Sequence, residues 1–170
     1  GVAQARLGPA LEPYRSRVFL AAKTMFRDRE GASKDLAATL EALRTDYLDL
    51  YQLHSISTAA DVAQALAPGG AMEVLEEARE RGVVRAVGFS AHDETMAVRL
   101  CETGRFDTVM FPVNFGAMRF AGIGAAPARR GSRAEDAGGG TQGVRGGSGA
   151  VRVGRRRGPA AGARCGAGYP

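Results

Sequence analysis

The sequence has 170 residues, a formal net charge of +5 and a pI near 9.8, but these averages combine two unlike parts. Residues 1–120 carry 14 Lys and Arg against 16 Asp and Glu, whereas residues 121–170 carry 9 Arg against 2 acidic residues. The positive charge therefore belongs to the C-terminal segment, which excludes a basic nucleic-acid-binding fold that spans the whole chain.

The composition also argues against disulfide-rich, membrane-spanning and metal-binding classes. Cys101 and Cys165 form no spaced motif, so we predict no disulfide framework and expect a reducing, cytoplasmic location. No apolar run approaches the roughly 18 residues of a membrane span, so we expect no membrane partner. The two histidines are not clustered with carboxylates or thiols, so we predict no metal site.

Helices and strands alternate through the first 120 residues. Each predicted helix repeats apolar residues at intervals of three and four, and each predicted strand is an apolar run of seven to nine residues. The predicted helices are residues 3–11, 33–44, 72–81 and 93–102. The predicted strands are residues 17–23, 46–54, 83–89 and 106–113. This alternation predicts an α/β fold with a parallel sheet and right-handed crossovers.

A few local signals set the predicted ends of these elements. Ser33 is a candidate N-cap for the second helix. Gly82 suits the left-handed position that ends the third helix. Between them, we interpret residues 55–70 as a loop with one short helical turn, ended by Gly69 and Gly70.

Polar residues stand at the end of each predicted strand. The four strands end at Lys23, at His54, at Ser90 followed by His92, and at Asn114. In an α/β barrel, residues at the carboxyl ends of the strands build the active site. An open doubly wound sheet would place a ligand at the same edge, but no glycine-rich phosphate loop follows any of these strands.

Residues 43–54, Leu-Arg-Thr-Asp-Tyr-Leu-Asp-Leu-Tyr-Gln-Leu-His, resemble the central signature of the aldo-keto reductases. Residues 18–23, 82–90 and 106–114 are similar to the flanking strands of that family, in the same order and spacing. The resemblance covers about residues 1–120. It implies a partial (β/α)8 TIM barrel that contains the third to sixth strands, and an oxidoreductase that uses NAD(P)H to reduce an aldehyde or ketone to an alcohol.

The same resemblance implies roles for the strand-end residues. Lys23 matches the lysine that lowers the pKa of the catalytic tyrosine, because an ammonium favours a nearby phenolate. His54 matches the histidine that orients the small carbonyl substrate, since a neutral imidazole can donate to an oxygen that gains charge. Ser90 and Asn114 are the implied cofactor-binding residues, with NADPH as the expected cofactor and NADH as the alternative.

The chain departs from the family pattern at its start and at two cofactor positions. In the family, the proton-donating tyrosine and its partner aspartate precede a helix like residues 3–11, and no residue of this sequence replaces them. Ala91 stands where many relatives have asparagine, and Met110 where many have a glutamine that also holds the nicotinamide amide. We therefore expect this chain to be a truncated reductase that is inactive by itself.

Residues 121–170 continue none of this pattern. They contain 15 of the 24 glycines and none of the 12 leucines, so they cannot bury enough apolar area to offset the entropy of ordering them. We expect a disordered Gly/Ala/Arg tail, or an out-of-frame reading of a GC-rich gene, beside a partial barrel at residues 1–120.

Two alternative functions and the oligomeric state stay open at this point. One alternative is a different barrel enzyme that forms a Schiff base on Lys23. The other is a non-catalytic protein whose arginine-rich tail binds RNA or anions. Tyr169 is the single aromatic residue that the tail offers for stacking on a base, which disfavours a nucleic-acid partner.

Overall fold

The computed structural model describes residues 2–112 and 150–152. Four parallel strands lie side by side in chain order, and a fifth strand pairs antiparallel with the fourth. The strands are β1 (Ala21–Thr24), β2 (Leu48–Leu53), β3 (Val84–Ser90), β4 (Thr108–Met110) and β5 (Ala150–Arg152). The helices are α1 (Val2–Leu11), α2 (Arg29–Leu43), α3 (Ala59–Leu66), α4 (Ala71–Glu80) and α5 (Glu94–Glu102). The predicted α/β fold with a parallel sheet is confirmed.

The first strand is shorter than the sequence predicted, and side chains bind part of the backbone before it. The N–H of Leu20 donates to Oδ2 of Asp49 at 2.9 Å, and Arg15 Nη1 donates to the carbonyl of Val18 at 3.1 Å. The regular ladder with β2 begins only at Ala21. The residues before it form a 3-10 helix, Glu12–Arg17, which the apolar pattern did not indicate.

The N-cap predicted for the second helix was wrong. Helix α2 begins at Arg29, and its N-cap is Asp28, whose Oδ1 accepts from the N–H of Gly31 at 2.7 Å. Ser33 lies inside the helix instead. An aspartate is as good an N-cap as a serine. The first turn of α2 after Asp28 is polar, so the spacing of apolar residues does not indicate that the helix begins there.

The loop predicted after β2 contains a complete helix. Helix α3 has eight residues and starts with a capping box, in which Thr58 accepts from the N–H of Asp61 while the Asp61 side chain accepts from the N–H of Thr58. At the end of α4, Gly82 has a φ of +76°, which confirms the predicted left-handed position.

The core lies between the sheet and the helices. Every residue of β2 is buried, as expected of a parallel strand covered on both faces. The rings of Phe89 and Phe106 meet edge to face with centroids 4.9 Å apart. The apolar residues that recur along the helices line this core. Those that are buried include Leu36, Leu43, Met72, Leu75, Ala78, Leu100 and Cys101, and Leu40 and Met96 are partly buried against them.

Part of the predicted tail is described by the structure. Ala150–Arg152 forms β5, which pairs with Thr108–Met110. The other residues from 121 onward lie outside the described part of the chain, so the prediction of a disordered or misread tail stays a prediction.

A cluster of charged and aromatic side chains ties the N-terminal ends of the strands together. Asp49, which is 6% exposed, contacts Arg15 Nη1 at 3.0 Å and Arg85 Nη1 at 2.8 Å. The ring of Tyr47 lies between the two guanidinium groups, 3.7 Å from that of Arg15 and 4.2 Å from that of Arg85. This Asp49 cluster joins the 3-10 helix to β2 and β3, at the barrel end where residues usually serve stability.

Removal of the central carboxylate should destabilise the chain strongly. We expect Asp49→Asn to lower the free energy of unfolding by about 3 kcal/mol, because it leaves the buried guanidinium of Arg15 unpaired. The matched control is Glu12→Gln, which breaks an ion pair with Arg44 whose side chains are both more than half exposed; we expect a loss below about 1 kcal/mol. Urea unfolding measures both values, and equal losses would contradict this role of Asp49.

Candidate active site at the carboxyl ends of the strands

The structure brings three of the four predicted site residues to one edge of the sheet. Lys23 lies in β1, His54 directly follows β2, and Ser90 ends β3. Asn114, the fourth, lies outside the described residues. The N–H of His54 donates to the carbonyl of Thr24 at 2.8 Å, so the chain after β2 stays attached to β1.

The side chains of His54 and Ser90 are in direct contact. Nδ1 of His54 lies 3.1 Å from Oγ of Ser90, and the N–H of Ser55 donates to the same Oγ at 2.8 Å. The N–H of Ile56 donates to the carbonyl of Ser90 at 2.8 Å. Ser90 is only 5% exposed, so its hydroxyl is engaged within the chain.

Lys23 has an unusual partner. Its Nζ lies 3.0 Å from Sδ of Met110, and a thioether is a weak acceptor for an ammonium. Among the described residues, no carboxylate forms an ion pair with Lys23. The positive charge of Lys23 is therefore not neutralised by the described part of the chain, and it disfavours a second positive charge on His54.

Arg27 is a site residue that the sequence did not reveal. It is 9% exposed, and its Nη2 donates to the carbonyl of His54 at 2.7 Å and to that of Ser55 at 3.2 Å. Its Nη1 donates to the carbonyl of Met25 at 2.9 Å, and its Nε contacts Asp61 at 3.2 Å. A buried cation follows no apolar period, so the sequence carries no signal for Arg27.

Arg27 supports a strained turn directly after the histidine. Ser55 has a φ of +52°, in the left-handed region that a non-glycine residue rarely adopts. The guanidinium of Arg27 donates to the carbonyls of His54 and Ser55, and Oγ of Ser90 accepts from the N–H of Ser55. The turn that directs the imidazole is thus fixed from two neighbouring strand ends.

The site keeps His54 neutral. Burial lowers the pKa of His54 below 6.5, and the positive charges of Lys23, Arg27 and His92 lower it further. A neutral imidazole has one N–H donor and one acceptor nitrogen, so it can donate a hydrogen bond without carrying charge.

A polar row crosses the barrel interior at the level of Lys23. The strand register aligns Lys23 with Gln52, Gln52 with Gly88, and Gly88 with Thr108. The amide of Gln52 and the hydroxyl of Thr108 are buried and have no hydrogen-bond partner in the described structure. Gly88 leaves the space that these two side chains occupy.

Within the described residues, no helix is long and apolar enough to cross a membrane. The same residues contain no cluster of three or more His, Cys, Asp or Glu side chains that could hold a metal ion.

Comparison with models of known protein families assigns this chain to a family. The family model described as the aldo/keto reductase family matches residues 1–121. The chain belongs to the aldo/keto reductase family. This result confirms the resemblance of residues 43–54 and the flanking strands. A search of curated proteins gave no match.

Solved aldo-keto reductases share the fold of the chain. The holo form of the Bacillus halodurans enzyme is 23% identical with a TM-score of 0.54, over 65% of this chain and 39% of that enzyme. A Pseudomonas aeruginosa relative is 20% identical with a TM-score of 0.60, over 68% and 47%. A Klebsiella pneumoniae enzyme in complex with NADPH is 24% identical with a TM-score of 0.52, over 63% and 37%. These matches confirm a partial (β/α)8 barrel that spans less than half of each relative.

The described part of this aldo/keto reductase chain offers few groups to a nicotinamide cofactor. The Ser90 hydroxyl is nearly buried and already meets His54 and Ser55. The Met110 side chain contacts Lys23 and carries no strong polar group. The cofactor-binding roles predicted for Ser90 and Asn114 stay predictions.

Addition of a methyl group at Gly88 should disturb the polar row beneath the site. A Cβ there would overlap Oγ1 of Thr108 and lie 2.9 Å from the Thr108 carbonyl oxygen. We expect Gly88→Ala to lower the free energy of unfolding by about 1–3 kcal/mol. Addition of Thr108→Ala should recover part of that loss, because it removes the tightest contact and leaves those with the Thr108 carbonyl and with Nε2 of Gln52. Urea unfolding that finds Gly88→Ala as stable as the parent chain would contradict this packing.

The lowered pKa of His54 predicts a pH dependence of stability. Below about pH 6.5 the unfolded chain binds a proton at His54 that the folded chain excludes, so the free energy of unfolding should fall as the pH drops from there toward the lower, folded pKa. Urea unfolding between pH 5 and 8 measures this slope (roughly the histidine range). His54→Gln should remove it and His92→Gln should keep most of it. A slope that survives His54→Gln would assign the effect to another group.

Proposed function

We propose that the strand-end residues of this chain belong to the active site of an NAD(P)H-dependent reductase that converts an aldehyde or ketone to an alcohol. The observation that carries the proposal is the placement of Lys23, His54 and Ser90 together at the carboxyl edge of a parallel sheet, with the imidazole of His54 in contact with Ser90. Membership of the aldo/keto reductase family supports the reaction class.

In this proposal His54 binds and orients the carbonyl oxygen of a small substrate. The neutral ring keeps one N–H, which can donate to the oxygen and stabilise the negative charge that develops there. Arg27 and Ser90 hold the ring and its backbone in place, so the donor needs little reorganisation when charge develops. The cofactor supplies the hydride, with NADPH as the expected form and NADH as the alternative.

Lys23 supplies positive charge to the same edge. An ammonium favours the charged form of a nearby phenol and so lowers its pKa, which would make a tyrosine a better acid. It also disfavours a proton on His54, since it lowers the pKa of that ring. The charge of Lys23 therefore has two effects in this proposal. It favours the neutral form of His54, and it would lower the pKa of a tyrosine placed beside it.

The tyrosines that the structure describes do not supply this donor. The hydroxyl of Tyr51 donates to Asp35 of α2 at 2.8 Å, and burial followed by this hydrogen bond raises the pKa of Tyr51, so it is a poor acid. Tyr47 belongs to the Asp49 cluster at the other end of the sheet, and Tyr14 contacts Arg17 in the 3-10 helix. We therefore propose that the 170-residue chain alone does not turn over.

A turnover assay tests this last point directly. We expect the purified chain to consume no NADPH or NADH above the background of heat-denatured chain, with either an aldehyde or a ketone, because none of Tyr14, Tyr47 and Tyr51, the tyrosines that the structure describes, stands beside Lys23. Steady consumption that His54→Gln abolishes would support the reductase site but overturn the proposed inactivity.

Substrate orientation can be tested without turnover. A ketone labelled with ¹³C at its carbonyl should show a change in carbonyl chemical shift when the chain is added, because His54 donates to its oxygen. His54→Gln should reduce the change, and His92→Gln should leave it. Absence of any effect with the parent chain would contradict the proposed role. Trapping of the ketone on Lys23 by borohydride would instead favour the Schiff-base alternative.

A further inference from the structure

The hydroxyl of Ser90 stands at a junction of two hydrogen bonds on the inner side of His54. Oγ lies 3.1 Å from Nδ1 of His54 and 2.8 Å from the backbone nitrogen of Ser55. These two residues follow directly after β2, and Ser90 ends the strand beside it. The contact therefore joins two neighbouring strand ends through one side-chain oxygen.

The hydrogen-bond capacity of Ser90 decides how these contacts are arranged. A serine hydroxyl has one proton to donate and two lone pairs to accept with. The backbone N–H of Ser55 can only donate, so it occupies one lone pair of Oγ. If Nδ1 of His54 also donated, the serine proton would have no acceptor among the described contacts, although Ser90 is 5% exposed. Buried polar groups are nearly always paired, so the hydroxyl of Ser90 is expected to donate its proton to Nδ1 of His54.

We propose that Ser90 is a positioning residue for His54, which donates its hydroxyl proton to Nδ1 and so holds the imidazole as the tautomer protonated at Nε2. The proton of the ring is then at the nitrogen that Ser90 does not contact. That nitrogen is the one left to donate to a substrate oxygen. The use of this tautomer in carbonyl binding rests on the proposed function. The hydrogen bond between Ser90 and His54 does not depend on that function.

This role differs from the one that the family resemblance implied for Ser90. A serine that holds the nicotinamide amide needs a free hydroxyl at the surface of the site. Here the proton and one lone pair are taken within the chain, and the residue is nearly buried. One lone pair of Oγ remains, so Ser90 would act on the reaction through His54 whether or not it also contacts the cofactor.

The charges around the imidazole are compatible with this arrangement. Lys23, Arg27 and His92 all act against a positive ring, and burial acts in the same direction. A hydrogen bond from Ser90 to Nδ1 requires that this nitrogen carry no proton, which the neutral ring satisfies. The neighbours keep the ring neutral, and Ser90 selects which of the two neutral forms is present.

The test reads the protonation of each ring nitrogen by NMR. The chain contains two histidines, so ¹⁵N-histidine labelling of the whole 170-residue chain gives two imidazoles, and His92→Gln leaves His54 alone. Long-range ¹H–¹⁵N correlation at pH 8, where the ring is neutral, distinguishes a protonated nitrogen from an unprotonated one. We expect Nε2 to carry the proton and Nδ1 to be an unprotonated acceptor. A proton on Nδ1 would overturn the proposal without any Ser90 variant.

Two variants separate this role from simple packing. Ser90→Ala should give a mixture of tautomers and raise the pKa of His54 by about 0.5–1 unit, because the neutral ring loses a donor. Ser90→Thr keeps the hydroxyl and should restore both values. A more exposed ring would also raise the pKa, so the tautomer ratio is the deciding measurement. If Ser90→Ala leaves that ratio unchanged, the proposal is wrong.

The outcome can be separated from that of the proposed function. The tautomer is measured without cofactor, substrate or turnover. Loss of carbonyl binding with an intact Nε2–H tautomer would overturn the proposed function alone, and the reverse result would overturn only the role of Ser90.

Discussion

The left-handed turn at Ser55 is the constraint on which the geometry of this site depends. A non-glycine residue at a φ of +52° costs about 1–3 kcal/mol, so the turn persists only because its surroundings determine it. Arg27 binds the carbonyls of His54 and Ser55, and the side chain and carbonyl of Ser90 accept the next two backbone N–H groups. This turn brings the N–H groups of Ser55 and Ile56 onto Ser90 and so holds the backbone that follows His54 against β3.

The two ends of the sheet treat charge in opposite ways. At the N-terminal end, Asp49 is paired with two guanidinium groups, and its oxygens also accept a backbone N–H. At the carboxyl end, Arg27 pairs with the carboxylate of Asp61, whereas Lys23 forms no ion pair with a described carboxylate. Compensated charge serves stability, whereas uncompensated positive charge shifts the protonation of a neighbour. That imbalance adds to burial in lowering the pKa of His54, and both favour the neutral imidazole.

The order of elements and the strand-end residues could be predicted from the sequence, and the contacts among them could not. Apolar periodicity located the four parallel strands, and Lys23, His54 and Ser90 were identified because each ends such a run. Asp28 was missed as a helix cap because the first turn of α2 is polar, so the apolar period starts only at Leu36. Arg27 was missed because its burial depends on carbonyls from residues 25, 54 and 55, which converge only in three dimensions.

The contact between His54 and Ser90 shows how the core determines the chemistry of the site. Leu53 and Phe89 are register partners on neighbouring strands, and His54 and Ser90 are the next residues on each. A shift of one residue in the pairing would turn one of these side chains to the opposite face and separate them. Both partners are fully buried, and Phe89 also packs against Phe106, so such a shift would expose or displace core side chains. The hydrogen bond that selects the tautomer of His54 is thus held in place by apolar packing one residue below it.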